Sequence, residues 1–299
     1  MNIKSVFYET GTRRAAFGSC VMLFILAVAP ALSARAQGTP KPLDRDETWF
    51  ALARRNVEVN ESPMSNVVGV LDEIVEVGEI TPPDATGKVT VTLREKAPAS
   101  ASHQQKSIRV TFVPAGKQWR WDAFEDRAKF YPVDRLFPYA KGEILKSRTA
   151  ADNAWKQLTD AMSKQGEAAW KVLDTTKTLI KAEPLPMGPV KSARESLTAA
   201  LTRANETGDF EIVRGADREL ITAIEPVPML GDRHAELKAN DAYLRLQEEL
   251  TGAKNNLAAA RKNYYAALAT YNEVLRRVPF GLVAYGLGFV RLEPRVSEE

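Results

Sequence analysis

The sequence predicts an α+β module followed by an all-α, long antiparallel helical bundle, and three observations support this order. Apolar and polar residues alternate in Lys88–Glu95 and Ser107–Val113, a period typical of half-buried antiparallel strands. After Ile144 this alternation gives way to alanine-rich, charged sequence with helical periodicity. Prolines then divide the helical sequence into separate segments. We therefore predict a module over residues 43–140 and a bundle over residues 144–290.

The N-terminal module contains a predicted helix and a meander of three or four strands. Asp44 can cap a helix over Asp44–Arg55, because a carboxylate accepts hydrogen bonds from the free N–H groups of a first turn. The segment Val70–Ile80 fits either a helix or a strand. The order of helix and meander resembles that of the cystatin fold.

Two tryptophans form the candidate ligand pocket of this module. Trp119 and Trp121 are two residues apart in Gln118–Phe124, so they share one face of a predicted strand. The pair fits either a hydrophobic or sugar-binding cleft or the core of a small sheet. The aromatic stretch Phe130–Tyr139 also allows two interpretations: a docking strip, or an extended connector that packs the sheet onto the bundle.

The last helix has the most regular pattern. With Tyr243 at heptad position a, the a and d positions are apolar or aromatic throughout. They include the bundle seam residues Tyr243, Leu246, Leu250, Leu257, Tyr264 and Tyr271. Such a seam must be buried against other helices, and short proline-rich links favour an antiparallel bundle over a parallel dimer. Charged residues such as Arg261 flank the seam, where we expect a solvated border.

An apolar tail, Phe280–Val290, follows this helix. Its large side chains form a candidate interaction surface: Phe280, Leu282, Tyr285 and Phe289. The tail is too short to cross a bilayer, which requires about 20 residues. It fits a cover over the end of the bundle, a segment lying in a membrane interface, or a partner-binding segment.

Residues 1–36 have the composition of a signal peptide. Arg13 and Arg14 precede the apolar run Cys20–Leu32, and Ala34 and Ala36 offer a small-x-small cleavage site. The alternative is an uncleaved signal anchor. Residues 37–42 are a predicted linker. We expect a protein exported across the cytoplasmic membrane and located in the periplasm or at the membrane.

Charge and residue usage exclude several function classes. The net charge of +3 resides in the leader, so the rest of the chain is neutral and a poor partner for a nucleic-acid backbone. Cleavage would remove Cys20 and leave no thiol chemistry. The two histidines, His103 and His234, have no histidine at a neighbouring helical spacing, so we expect solvated or capping roles. We therefore expect no enzyme activity, metal or cofactor.

An ordered set of short motifs lies in and around the last helix. It comprises E-L-K-A at Glu236–Ala239, L-Q-E-E-L at Leu246–Leu250, R-x-x-Y at Arg261–Tyr264, Y-N at Tyr271–Asn272, then Pro279 and Gly288–Phe289. The set resembles the LemA family of bacterial envelope proteins, over roughly residues 150–290. His234 and Tyr265 depart from the family pattern. The resemblance implies an antiparallel bundle that faces the membrane from outside the cytoplasm, with no established enzymatic role.

These observations together predict a non-catalytic exported envelope protein that acts as a scaffold or in protein–protein interaction. Its partner would be an envelope protein or a second copy of the chain, with the membrane close by and neither nucleic acid nor metal involved. The alternative is a ligand-binding module that uses the Trp119/Trp121 face. A hydrolase is disfavoured because no nucleophile motif is present.

Overall fold

The computed structural model describes residues 39–60, 63–96, 106–180 and 184–296. The predicted signal peptide and His103 lie outside the described residues. The described residues belong to one compact unit. The predicted fold class, an α+β module followed by a long helical bundle, is confirmed.

The N-terminal module is a five-stranded antiparallel sheet preceded by two helices, α1 (Arg45–Asn60) and α2 (Met64–Ile74). The strands are β1 (Val75–Ile80), β2 (Val89–Glu95), β3 (Ser107–Ala115), β4 (Gln118–Asp126) and β5 (Lys129–Pro132). Each strand pairs with the next along the chain. Helix α1 packs against β4. The alternating apolar residues predicted for β2 form part of the core.

Two local features of this module follow from the sequence. The Asp44 carboxylate accepts a hydrogen bond from Glu47 N at 2.8 Å, which is the predicted cap of α1. The ambiguous segment Val70–Ile80 divides in two, because α2 ends at Ile74 and β1 begins at Val75. The helical interpretation is therefore correct for the start of the segment, and the strand interpretation is correct for its end.

Helix α3 (Leu136–Leu179) has 44 residues and belongs to two hydrophobic clusters. Its first turns place Leu136 and Ile144 in the core beneath the sheet, whereas its buried residues from Ala154 onward belong to the core of the bundle. At 1.5 Å per residue it is about 66 Å long. The predicted boundary between residues 140 and 144 therefore lies inside a continuous helix. Phe130–Tyr139 forms β5, a 3-10 turn and the start of α3, so the prediction of an extended connector was wrong there.

Helices α4 (Met187–Thr207), α5 (Glu211–Ile224) and α8 (Asp241–Val274) complete the bundle, and the short helices α6 (Leu230–Arg233) and α7 (Ala235–Lys238) lead into α8. Three contacts fix the direction of α8 against α3: Arg148 over Tyr271, Trp155 against Tyr264, and Lys171 paired with Glu249. Residue numbers rise along one helix as they fall along the other. The two helices are therefore antiparallel, as predicted.

Gly208 separates α4 from α5. Its φ of 75° is left-handed, a conformation that glycine adopts readily at the end of a helix. The two segments are consequently distinct helices and not one kinked helix.

The buried stripe of α8 follows the predicted seam only in part. Five seam residues are buried: Tyr243, Leu250, Leu257, Tyr264 and Tyr271. Leu246 is half-buried. Beyond Leu257 the other buried positions fall one residue later than the predicted d positions, at Arg261, Leu268 and Leu275. A straight α-helix drifts relative to a seven-residue repeat, so the prediction of a solvated Arg261 was wrong.

Candidate functional site

The two tryptophans of the candidate ligand pocket lie in the core of the N-terminal module. Trp119 is 5% exposed and Trp121 is 1% exposed. The indole nitrogen of Trp119 donates to Lys41 O at 2.8 Å, and that of Trp121 donates to Ala123 O at 3.0 Å. Buried indoles with satisfied N–H groups offer a ligand neither surface nor a donor. The structure thus places core side chains where the sequence also allowed a cleft.

The four residues of the candidate interaction surface pack against the protein itself. Leu282 is buried, and Phe280, Tyr285 and Phe289 are partly buried against the core of the N-terminal module. The Phe280 ring meets the Tyr139 ring edge-on, with centroids 5.3 Å apart. The tail forms helix α9 (Gly281–Ala284) and a 3-10 turn that contact α1, α2 and α3. The sheet module therefore covers the tail.

Asn56 of α1 forms a hydrogen bond to this tail. Its side chain is buried, and its Nδ2 donates to Leu282 O at 2.9 Å and to Leu52 O at 3.0 Å. Gly286 lies directly against it: a Cβ on Gly286 would lie 2.9 Å from both Cα and Cβ of Asn56. Asn56 and Leu282 are 226 positions apart in the chain, so sequence periodicity does not reveal the contact.

A buried ion pair joins α5 to α8. Arg261 Nη2 donates to Asp217 Oδ2 at 2.8 Å, and the two side chains are 8% and 5% exposed. Sequence reasoning did not identify this pair, although one signal was present. Arg261 lies four residues after the seam residue Leu257, a spacing that keeps both on one face of an α-helix.

Tyr264 of the R-x-x-Y motif and both residues of the Y-N motif hold the C-terminal segment Phe289–Val296, which we call the C-terminal strap. Tyr264 Oη accepts from Arg295 N at 3.0 Å, and Tyr271 Oη donates to Val290 O at 2.9 Å. Burial raises the pKa of Tyr264 above its ordinary value. The two tyrosines therefore combine two roles, because their rings fill the seam and their hydroxyls bind main-chain atoms of the strap.

A groove runs between α3 and α4, with a volume of about 720 Å³. We call it the α3–α4 groove. Its apolar lining residues include Met162, Trp170, Leu197 and Leu220, and its charged lining residues include Glu167, Lys191 and Glu195. Gly166 has no side chain, which lets Arg194 lie close to α3 with its guanidinium 5.8 Å from the Trp170 ring centroid.

Neither a metal cluster nor a membrane span occurs in the part of the chain that the structure describes. His234 is at the N-cap position of α7. Residues 39–60, 63–96, 106–180 and 184–296 contain no group of three or more His, Cys, Asp or Glu side chains that could hold a metal ion. Within these same ranges no helix is both long enough and apolar enough to cross a membrane.

Comparison with known proteins finds a matching family model and similar curated proteins. The LemA family model matches residues 154–294, which run from the distal part of α3 to the C-terminal strap. Magnetosome protein MamQ 2 and magnetosome protein MamQ 1 of Paramagnetospirillum magneticum strain AMB-1 are each 27% identical to the chain over 109 residues. That region is 36% of this chain and 40% of each relative. The chain thus spans about two fifths of the length of these curated relatives. Residues 154–294 are thus similar to the LemA family, the family that the motifs of the last long helix resemble.

Proposed function

We propose that the protein is a non-catalytic, membrane-associated scaffold of the bacterial envelope. Two findings support this proposal: the similarity of residues 154–294 to the LemA family, and the relatives whose names assign them to the magnetosome. The signal-peptide composition of residues 1–36 supports export across the cytoplasmic membrane. In this proposal the described part of the chain lies outside the cytoplasm, close to the membrane.

The observation that carries the proposal is the continuity of α3 through both cores. A bend between Ile144 and Ala154 would separate packed side chains in the sheet module or in the bundle. The tail adds a second connection, since it leaves α8 and packs against α1 and α2. The sheet module and the far end of the bundle are therefore held at a fixed separation. A fixed separation between two surfaces is the property that a scaffold requires.

We assign partner binding to the α3–α4 groove. Half-buried Trp170 and exposed Ala199 line the groove together with charged residues such as Lys191 and Glu195, whereas Met162 and Leu197 form its closed floor. This combination matches the apolar centre and polar rim of protein interfaces. A groove between two helices fits an amphipathic helix laid along it, with its apolar side facing inward.

The test compares two matched surface variants. A truncation would not serve, because deleting residues 231–299 would remove α8 from the core. Thr198 lines the groove and Thr270 lies on α8; both are exposed, and each hydroxyl donates to the carbonyl four residues earlier. Thr198→Trp fills the groove, whereas Thr270→Trp adds the same bulk elsewhere. A photo-crosslinking residue at Ser163 should capture an envelope protein in the wild-type and Thr270→Trp chains but not in Thr198→Trp. Equal capture by folded Thr198→Trp chain would contradict the proposal.

A further inference from the structure

The C-terminal strap, Phe289–Val296, forms neither a helix nor a strand. It returns along α8, with Val290 at Tyr271 and Arg295 at Tyr264. The strap is held by hydrogen bonds to its main chain and by its side chains, of which Val296 is 1% exposed in the core of the bundle. Its other side-chain to main-chain hydrogen bonds are Asn272 Nδ2 to Leu292 O at 2.9 Å, Leu292 N to Asn272 Oδ1 at 3.0 Å, Arg214 Nη2 to Pro294 O at 3.1 Å, and Tyr265 Oη to Val296 O.

These contacts resemble the recognition of a bound peptide more than the packing of a fold element. A helix or a sheet satisfies its main chain with main-chain partners, whereas the strap uses side chains of α5 and α8. Asn272 both donates to and accepts from one residue, Leu292, so its amide fixes the position of the main chain there. Such contacts position the chain, but they do not select its side chains.

Specificity comes from an aromatic site that holds Arg295. The centre of the Arg295 guanidinium lies 4.5 Å from the Phe210 ring centroid and 5.3 Å from the Trp155 ring centroid. Arg295 Nη2 lies 3.4 Å from Asp152 Oδ1, and the Arg295 side chain is 17% exposed. Aromatic faces and a carboxylate around one cation favour a guanidinium over a neutral or anionic side chain. Leu292, three residues earlier, packs against both hydrophobic cores.

We propose that this surface is a peptide-binding groove, whose ligand is an extended segment with leucine and arginine in the order Leu-x-x-Arg. The C-terminal strap occupies the groove in cis, and a partner segment of the same chemistry replaces it in trans. The strap can detach without breaking a helix or a strand, because it follows Gly288, an exposed residue with φ 79°. This proposal does not rest on the scaffold function or on the α3–α4 groove.

The test measures binding of a dye-labelled peptide of sequence Gly288–Val296 to the full chain by fluorescence anisotropy. In the wild-type chain the attached strap competes at the high effective concentration of a tethered ligand. Arg295→Glu in the chain places an anion beside Asp152 and releases the strap, while the groove itself is unchanged. We expect this variant to bind the peptide at least about tenfold more tightly than the wild-type chain.

Two controls make the result specific. The same peptide with glutamate at the position of Arg295 should not bind the Arg295→Glu chain. Adding Asn272→Ala to that chain should weaken binding of the wild-type peptide, because two hydrogen bonds to Leu292 are lost. Equal binding of both peptides, or no binding by an Arg295→Glu chain that melts cooperatively, would overturn the proposal.

A second measurement applies if Arg295→Glu does not fold. In the wild-type chain, hydrogen exchange at the Leu292 and Arg295 amides should proceed through local detachment of the strap. These amides should exchange faster than the buried amides of α8. Exchange at the same rate as the core of α8 would show that the strap leaves only when the protein unfolds, and would also overturn the proposal.

Discussion

Arg261 and Asp217 form an ion pair that is almost sealed from solvent, with an Nη2–Oδ2 distance of 2.8 Å and exposed fractions of 8% and 5%. The pair joins the middle of α5 to α8, two helices whose buried apolar residues belong to the core of the bundle. Removing one partner from such a buried pair is more costly than replacing both.

We therefore predict that Asp217→Leu lowers the free energy of unfolding by about 3–5 kcal/mol. The double variant Asp217→Leu/Arg261→Met should recover most of that loss, because neither charge remains buried. Chemical denaturation followed by circular dichroism measures both values. Glu249→Gln is the matched control: it breaks the exposed pair with Lys171 and should leave the free energy of unfolding almost unchanged. A double variant as unstable as Asp217→Leu would contradict this account of the pair.

The drift of the buried stripe on α8 predicts unequal costs for two leucine truncations. Leu268 is 4% exposed although it lies outside the heptad positions a and d, whereas Leu246 occupies position d and is half-buried. Leu268→Ala should cost about 2–5 kcal/mol of unfolding free energy, as for a buried leucine. Leu246→Ala should cost less than about 2 kcal/mol. The opposite order in denaturation experiments would mean that the heptad seam describes the packing better than the straight helix does.

The contact between Gly286 and Asn56 predicts that the tail tolerates no side chain at this position. Gly286→Ala forces a methyl group against the α1 backbone and should destabilise the protein by about 1–3 kcal/mol. Gly142→Ala is the control, because no atom lies within 4 Å of its Cβ position in α3. That variant should be neutral or stabilising by up to about 1 kcal/mol. Thermal melting distinguishes the two, and an unchanged Tm for Gly286→Ala would rule out close packing of the tail.

Arg109 and Glu125 predict an acid-sensitive contribution to stability. The Glu125 carboxylate accepts from Arg109 Nε at 2.7 Å, and this hydrogen bond lowers the pKa of Glu125 below its ordinary value. Because the folded-state pKa is lowered, the contribution is present above the unfolded pKa of about 4.3. It is lost as pH falls through the folded-state pKa.

Glu125→Gln should accordingly lower Tm near neutral pH, and the gap to the wild-type Tm should close as the solution is acidified below about pH 4. Thermal melts of both proteins across this range test the prediction. A gap that stays constant, or widens in acid, would show that the charge of Glu125 does not contribute.

Local patterns predicted much of the fold because they act over short stretches of the chain. Alternation located β2 to β4, and Asp44 located the start of α1. The heptad register located the buried face of α8 but assumed 3.5 residues per turn, so Arg261 was placed on the wrong side of the border.

The candidate sites were less predictable because they depend on contacts between distant parts of the chain. Alternation places Trp121 on one face of a strand, but α1 determines whether that face is open, and α1 packs against β4. The tail is apolar in sequence, yet the side chain that hydrogen-bonds to its main chain at Leu282 is Asn56, 226 positions earlier. Arg295 binds between Trp155 and Phe210, and heptad patterning within one helix carries no information on such a contact.

The central claim is that one unbroken helix holds the sheet module and the bundle at a fixed separation. It is tested most directly by the distance between spin labels at Lys141→Cys and Thr178→Cys, both exposed on α3, in a chain carrying Cys20→Ser. Ala150→Pro serves as the control that breaks the helix between the labels. A helix rises 1.5 Å per residue, so we predict a single narrow distribution of distances of about 55 Å between positions 141 and 178. A broad or shorter distribution, like that of the Ala150→Pro control, would contradict the claim.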